Sequence, residues 1–118
     1  MDDRVKKLYR RLVLFGANSI KIADGLPEAG AQVIARQLCR SSTSVGANYR
    51  EAQRSRTKTE FTSKLQIALG EADESIHWSE ILAEVGYVDS ETITKHLKEA
   101  NELTAIIVSS VQTAKQNR

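Results

Sequence analysis

The 118-residue chain has one cysteine, one proline, one methionine and one tryptophan, and aromatic residues make up 5% of it. The lone Cys39 excludes an internal disulfide, and with only His77 and His96 to join it a Cys/His zinc site lacks ligands. It reads as a packed thiol in a reducing compartment. No stretch approaches the roughly 20 consecutive apolar residues of a membrane span, and no signal-peptide pattern follows the charged start Met1-Asp2-Asp3-Arg4. A cytoplasmic location is the expectation. Also absent are a nucleophile–base pair, a phosphate-binding glycine loop and a spaced pair of acids, so neither enzymatic activity nor a cofactor is expected.

Charge is present in quantity and is unevenly placed. Residues 1–64 hold 13 Lys/Arg against six acids, a balance of +7, whereas residues 65–118 hold four against nine, a balance of −5. A basic half and an acidic half point to an acidic partner or to self-association through complementary faces.

Punctuation divides the chain into four helical segments within one domain. Gly25-Leu26-Pro27 ends the first, with Pro27 suited to the first turn of the second. Thr57-Lys58-Thr59-Glu60 has capping-box spacing, Gly86 with Tyr87-Val88 fits a glycine C-cap, and Asp89-Ser90 offers the cap of the fourth helix. Apolar residues recur at helical spacing: Val5, Leu8, Leu12, Phe15, Ser19 and Ile22 in the first helix, and Ile34, Leu38, Ser41, Val45, Asn48 and Ala52 in the second. Phe61, Leu65, Ala68, Ala72, Ser75, Ser79 and Leu82 follow in the third, then Ile93, Leu97, Ala100, Thr104, Ile107, Val111 and Ala114 in the fourth. Long helices with short connectors predict an all-α, antiparallel up-down-up-down four-helix bundle.

The second segment, Gln37 to Ala52, is crowded with Ser, Thr, Gly and Asn, which are mediocre helix formers. Small side chains there allow close helix packing. Asn48, on the inward stripe, reads as a buried donor and acceptor that fixes register through Ser75 or a backbone carbonyl; a ligand-binding role is the alternative.

Two surfaces stand out. On the third helix Ile67, Trp78, Ile81 and Val85 form a second apolar seam bordered by Glu71 and Glu74, predicting a homo-oligomer in which these acids meet basic residues of another copy. The competing reading makes them core residues of a differently rotated bundle. On the second helix Arg36, Arg40, Arg50 and Arg54 share the face opposite the core stripe, and Arg56 and Lys58 continue the charge into the connector. Such a surface suits RNA or DNA phosphates. An ordinary solvated face, or arginines pairing with acids across a subunit boundary, is the alternative, since no RNA-binding fingerprint is visible. A di-metal enzyme is a third possibility because Glu74-Ser75-Ile76-His77 has Glu-x-x-His spacing. Its required second element is missing, for Ile93 stands three residues before His96.

Two stretches carry a resemblance that covers nearly the whole chain. Gln37-Leu38-x-Arg40-Ser41-Ser42-x-Ser44-Val45-x-Ala47-Asn48-x-x-Glu51-Ala52, with Phe61-x-x-Lys64-Leu65-x-Ile67-Ala68-x-x-Glu71-x-x-Glu74-x-x-x-Trp78, resembles the four-helix-bundle family found in intervening sequences of bacterial 23S ribosomal RNA genes. Relatives of that family include the accessory variability protein of diversity-generating retroelements. Ser75, His77 and Ser79 depart from its usual pattern of Thr, an aromatic and Leu. The resemblance implies a homopentamer without known catalytic activity, whose basic surface engages nucleic acid in some members. The expected function is therefore a non-enzymatic, homo-oligomeric accessory protein that binds RNA or DNA phosphates, with a protein-interaction scaffold as the runner-up.

Overall fold

The computed structural model describes residues 1–28 and 30–117, which form four helices: α1 (Asp3–Asp24), α2 (Gln32–Gln53), α3 (Lys58–Val85) and α4 (Ser90–Gln116). Their ends follow local chemistry. Asp2 caps α1 by accepting the Val5 N–H at 2.9 Å, and the Thr57 hydroxyl accepts the Glu60 N–H at 3.0 Å at the start of α3. The reciprocal half of the capping box falls one residue early, because the Glu60 carboxylate accepts the N–H of Arg56 at 3.4 Å. Gly86 closes α3 in the left-handed conformation, at φ 80°, and the Asp89 carboxylate accepts the Thr92 N–H at 3.0 Å to open α4.

The first connector differs from the sequence expectation. Pro27 does not begin α2, which starts at Gln32 after a turn through Gly30 at φ 76°. Burial explains the delay: Leu26 and Ala31 turn inward and close the end of the core before the helix begins. Gly25 caps α1 in a right-handed conformation that does not require glycine.

Successive helices pack against each other, α2 against α3 most extensively, and α4 returns to α1 along a thinner seam. The bundle is 47 Å long and 20–23 Å across. Gly16 and Gly46 bring α1 and α2 together, since a Cβ on Gly16 would stand 3.4 Å from the Thr43 backbone and one on Gly46 the same distance from Leu12. The weak helix formers of α2 thus trade propensity for close approach.

The interior consists of two apolar clusters with a polar layer between them. One cluster gathers Leu12, Phe15, Val45, Leu65, Leu103 and Ile107, and the other Ile22, Ala35, Leu38, Leu82 and Ile93. On every helix the residues between them are buried and polar: Ser19 on α1, Ser41 and Ser42 on α2, Ser75 and Ser79 on α3, and His96 on α4. The Ser41 and Ser75 hydroxyls lie 3.0 Å apart across the α2–α3 seam, and Ser19 Oγ lies 2.9 Å from His96 Nε2 across the α1–α4 seam. Such pairs pin register, because sliding a helix by one turn would strand buried polar atoms against hydrocarbon. Asn48 meets its expectation in part: it donates to a backbone carbonyl, that of Ser44, but it is half-buried and the carbonyl belongs to its own helix, so Ser41 and Ser75 make the inter-helix contact instead.

Candidate nucleic-acid interface

The outward face of α2 carries arginines because its inward face is fixed by Leu38, Ser41, Val45 and Ala52. Arg36, Arg50 and Arg54 are exposed along it, and Arg56 and Lys58 are exposed beyond its end. Helix rise separates Arg36 from Arg50 by ~21 Å, so the six candidates do not form one continuous strip. Arg50, Arg54 and Arg56 gather near the α2–α3 connector.

Each cation has a different local setting. Arg40 forks onto two acids of α3, with Nη1 3.2 Å from Glu71 Oε2 and Nη2 2.6 Å from Glu74 Oε2. Hydrogen bonds from Arg40 hold the Glu74 carboxyl below the usual carboxylate range, and those to Glu74 and Glu71 raise the guanidinium pKa further. The Trp78 indole N–H also donates to Glu74, at 3.2 Å. Arg50 donates to the Tyr9 hydroxyl at 3.2 Å and lies 5.4 Å from its ring centroid, a contact that leaves its charge unopposed. Lys58 reaches the Asn117 carbonyl at 2.8 Å. Among the described residues no carboxylate pairs with Arg36, Arg50, Arg54, Arg56 or Lys58.

The expected oligomer seam is partly engaged within the chain. Ile67 and Val85 are exposed, Ile81 is half-buried, and Trp78 packs against the Leu38–Leu82 cluster. Glu71 and Glu74, expected to face basic residues of another copy, are held by Arg40 of the same chain. The reason is the tight α2–α3 packing, which brings the arginine over both acids. Nor do the metal-like residues converge: Glu74 is taken by Arg40 and Trp78, and His77 is exposed with its ring edge-on to Trp78. Among the described residues no three His, Cys, Asp or Glu side chains cluster to hold a metal.

Two features escaped the sequence reading. Arg4, Lys6, Lys7 and Arg10 on the first turns of α1 lie beside the last turns of α2 and enlarge the basic end of the bundle. Their signal was available, since antiparallel neighbours place the start of one helix next to the end of the other. At the same end α1 and α4 diverge to leave a groove of about 790 Å³, with Val5, Leu8, Phe61 and Ile106 on its walls and Arg4 and Lys7 at its edge. The second omission is His96, which lies in the core, stacked on Phe15 with ring centroids 4.6 Å apart.

Comparison with known proteins agrees with this architecture. The family model for the 23S rRNA-intervening sequence protein matches residues 6–109. A crystal structure from Bacteroides thetaiotaomicron VPI-5482, of a protein with unknown function from the S23 ribosomal protein family, is similar at a TM-score of 0.82 and 28% identity. The match covers 88% of this chain and 97% of that one. No curated protein matches the chain.

Proposed function

The chain belongs to the 23S rRNA-intervening sequence protein family, and on that premise we propose a non-enzymatic, homo-oligomeric accessory protein that binds RNA or DNA phosphates in the cytoplasm. One observation carries the nucleic-acid reading: Arg50, Arg54 and Arg56 meet at one end of the bundle with no carboxylate partner among the described residues. Repeated around an oligomer, this end becomes a multivalent cationic platform, and multivalency raises affinity without any new contact. A pentameric state and kinship with accessory variability proteins belong to the same proposal, supported by the motifs of α2 and α3.

Titration of labelled RNA and DNA at several salt concentrations tests the proposal. Three phosphate contacts per protomer give a log–log salt slope of about −3 for each protomer engaged. Arg54→Glu with Arg56→Glu should abolish binding, whereas Arg36→Glu, ~21 Å away along the helix, should weaken it less. No binding by the wild type at low salt would overturn the reading. The protein-interaction scaffold is the second reading, favoured by the exposure of Ile67 and Val85.

A further inference from the structure

The groove between α1 and α4 is built unlike the rest of the basic end. Its floor and walls are largely hydrocarbon, from Val5 and Leu8 on α1, Phe61 and Leu65 on α3 and Ile106 on α4, and its volume of about 790 Å³ falls within the range of sites that enclose small ligands. The thin packing of α1 on α4 leaves this space open. At Phe61 and Ala114 the groove adjoins a smaller apolar recess of about 180 Å³, bordered by Lys58 and Asn117, which are joined by a hydrogen bond. Along α1 it runs from Asp2 to Arg11, a length of ~14 Å at the helical rise.

The charged groups of the groove come from the α1 side. Arg4 and Lys7 are exposed and have no carboxylate partner among the described residues, while Arg11 is held by Glu99 and Glu102. Asp2, whose carboxylate caps α1, is the acid in the lining. Tyr49 of α2 also lines the groove. It is 5% exposed, yet its hydroxyl makes no hydrogen bond among the described residues. Nor is that hydroxyl sealed into the core, because the enclosed, unpaired side-chain atom among the described residues is Ser79 Oγ. It therefore opens on the groove. Burial raises the Tyr49 pKa and the Asp2 carboxylate adds to the effect, so the phenol keeps its proton at neutral pH and is a donor without an acceptor. A nearly buried donor left unpaired costs stability, which an acceptor arriving in the groove restores.

We propose that this groove binds a medium-chain acyl carboxylate, its head among Arg4, Lys7 and the Tyr49 hydroxyl and its chain along Leu8, Phe61 and Ile106 toward the recess beside Ala114. Charge sets the head: three cations, Arg4, Lys7 and Arg11, against the one acid Asp2 favour an anion. The phenol adds a hydrogen bond to a charged acceptor, stronger than one between neutral groups. Aliphatic walls set the tail, since each methylene they take from water adds to affinity. A nucleic-acid backbone fits this groove poorly, because it is charged along its length and would leave the hydrocarbon uncovered. The site is also separate from the proposed phosphate surface: Arg50, Arg54 and Arg56 do not line it.

Calorimetric titration of the full chain with sodium dodecanoate, kept below its micelle-forming concentration, tests this. The wild type should bind saturably, one molecule per chain, and should bind acetate and dodecyltrimethylammonium at least about tenfold more weakly, since the first lacks the chain and the second the negative head. Tyr49→Phe should weaken dodecanoate about tenfold, the loss of one hydrogen bond to a charged group, while leaving the urea midpoint of the free protein and its RNA titration unchanged. Ile106→Glu, at a position 36% exposed, should abolish dodecanoate binding and keep the wild-type helical circular dichroism. Should Tyr49→Phe disturb folding, Arg4→Gln with Lys7→Gln, both at exposed positions, gives the same weakening. A wild type that does not bind dodecanoate saturably overturns the proposal, and so does one that binds the cationic amphiphile equally well. Head-group variants that bind like the wild type overturn the placement of the carboxylate. If Ile106→Glu instead lowers the particle mass in light scattering while the wild type ignores dodecanoate, the occupant is a second copy and the acyl reading falls.

Discussion

The polar layer is built differently on its two sides. Between α2 and α3 it consists of small hydroxyls, Ser41 against Ser75, each also within reach of a carbonyl of its own helix at Leu38 or Glu71. Between α1 and α4 it consists of a serine and an imidazole, with Phe15 stacked on the ring. The α2–α3 seam is the most extensive in the bundle and the α1–α4 seam the thinnest. Hydrogen-bonded pairs across one layer are thus made at two spacings, serine with serine where helices approach closely and serine with histidine where a wider gap must be bridged. Only the wider side acquires a titratable group.

The largest effect should come from filling the narrow side. Ser75→Leu forces extra volume against Ser41 where both residues are fully buried, and should lower unfolding free energy by about 3 kcal/mol in urea denaturation. Ser75→Ala should cost about 1 kcal/mol, the net value of a hydrogen bond. If the two substitutions cost the same, close approach is not what the serine provides.

The wide side should respond to pH. Burial pushes the His96 imidazole from 6.5 down to about 4, outweighing the opposing influence of Glu99. The folded state therefore keeps the ring neutral while the unfolded chain takes up a proton near pH 6.5. Stability is complete above that value and falls as the pH drops toward 4. Between pH 7 and pH 5 the wild type should lose about 2 kcal/mol, and His96→Gln less than about 0.5 kcal/mol. Equal losses would show that the histidine is not the source.

The smallest effect belongs to the rim of the same seam. Arg11 bridges Glu99 and Glu102, with its side chain 38% exposed, so Arg11→Gln should cost less than about 1 kcal/mol in the same denaturation assay. A larger loss would mean that the thin seam depends on its ion pairs more than on Phe15 and His96.

Much of the fold was legible in the sequence because burial imposes a period. Leu12, Phe15, Leu65, Ala68 and Ile107 recur at spacings that only a helix turns to one side, and Thr57, Gly86 and Asp89 carry their capping chemistry locally. His96 is not legible as core from its own segment, because the burial of a polar ring depends on Ser19, far away in sequence. The grip of Arg40 on Glu71 and Glu74 was hidden for a related reason. Helical spacing shows which residues share a face but not the height at which two helices meet. The candidate interface was therefore legible as a set of exposed cations, and the neutralisation of one of them was not.

The unequal seams also bear on the order in which the chain closes. Ser41 and Ser75 are 34 residues apart in sequence, whereas Ser19 and His96 are 77 apart. Loop-closure entropy makes the longer closure dearer by about 0.7 kcal/mol before any contact repays it. Loop closure therefore favours the α2–α3 contact ahead of the docking of α1 on α4. Substitutions at Ser75 should slow folding, and those at His96 should instead speed unfolding.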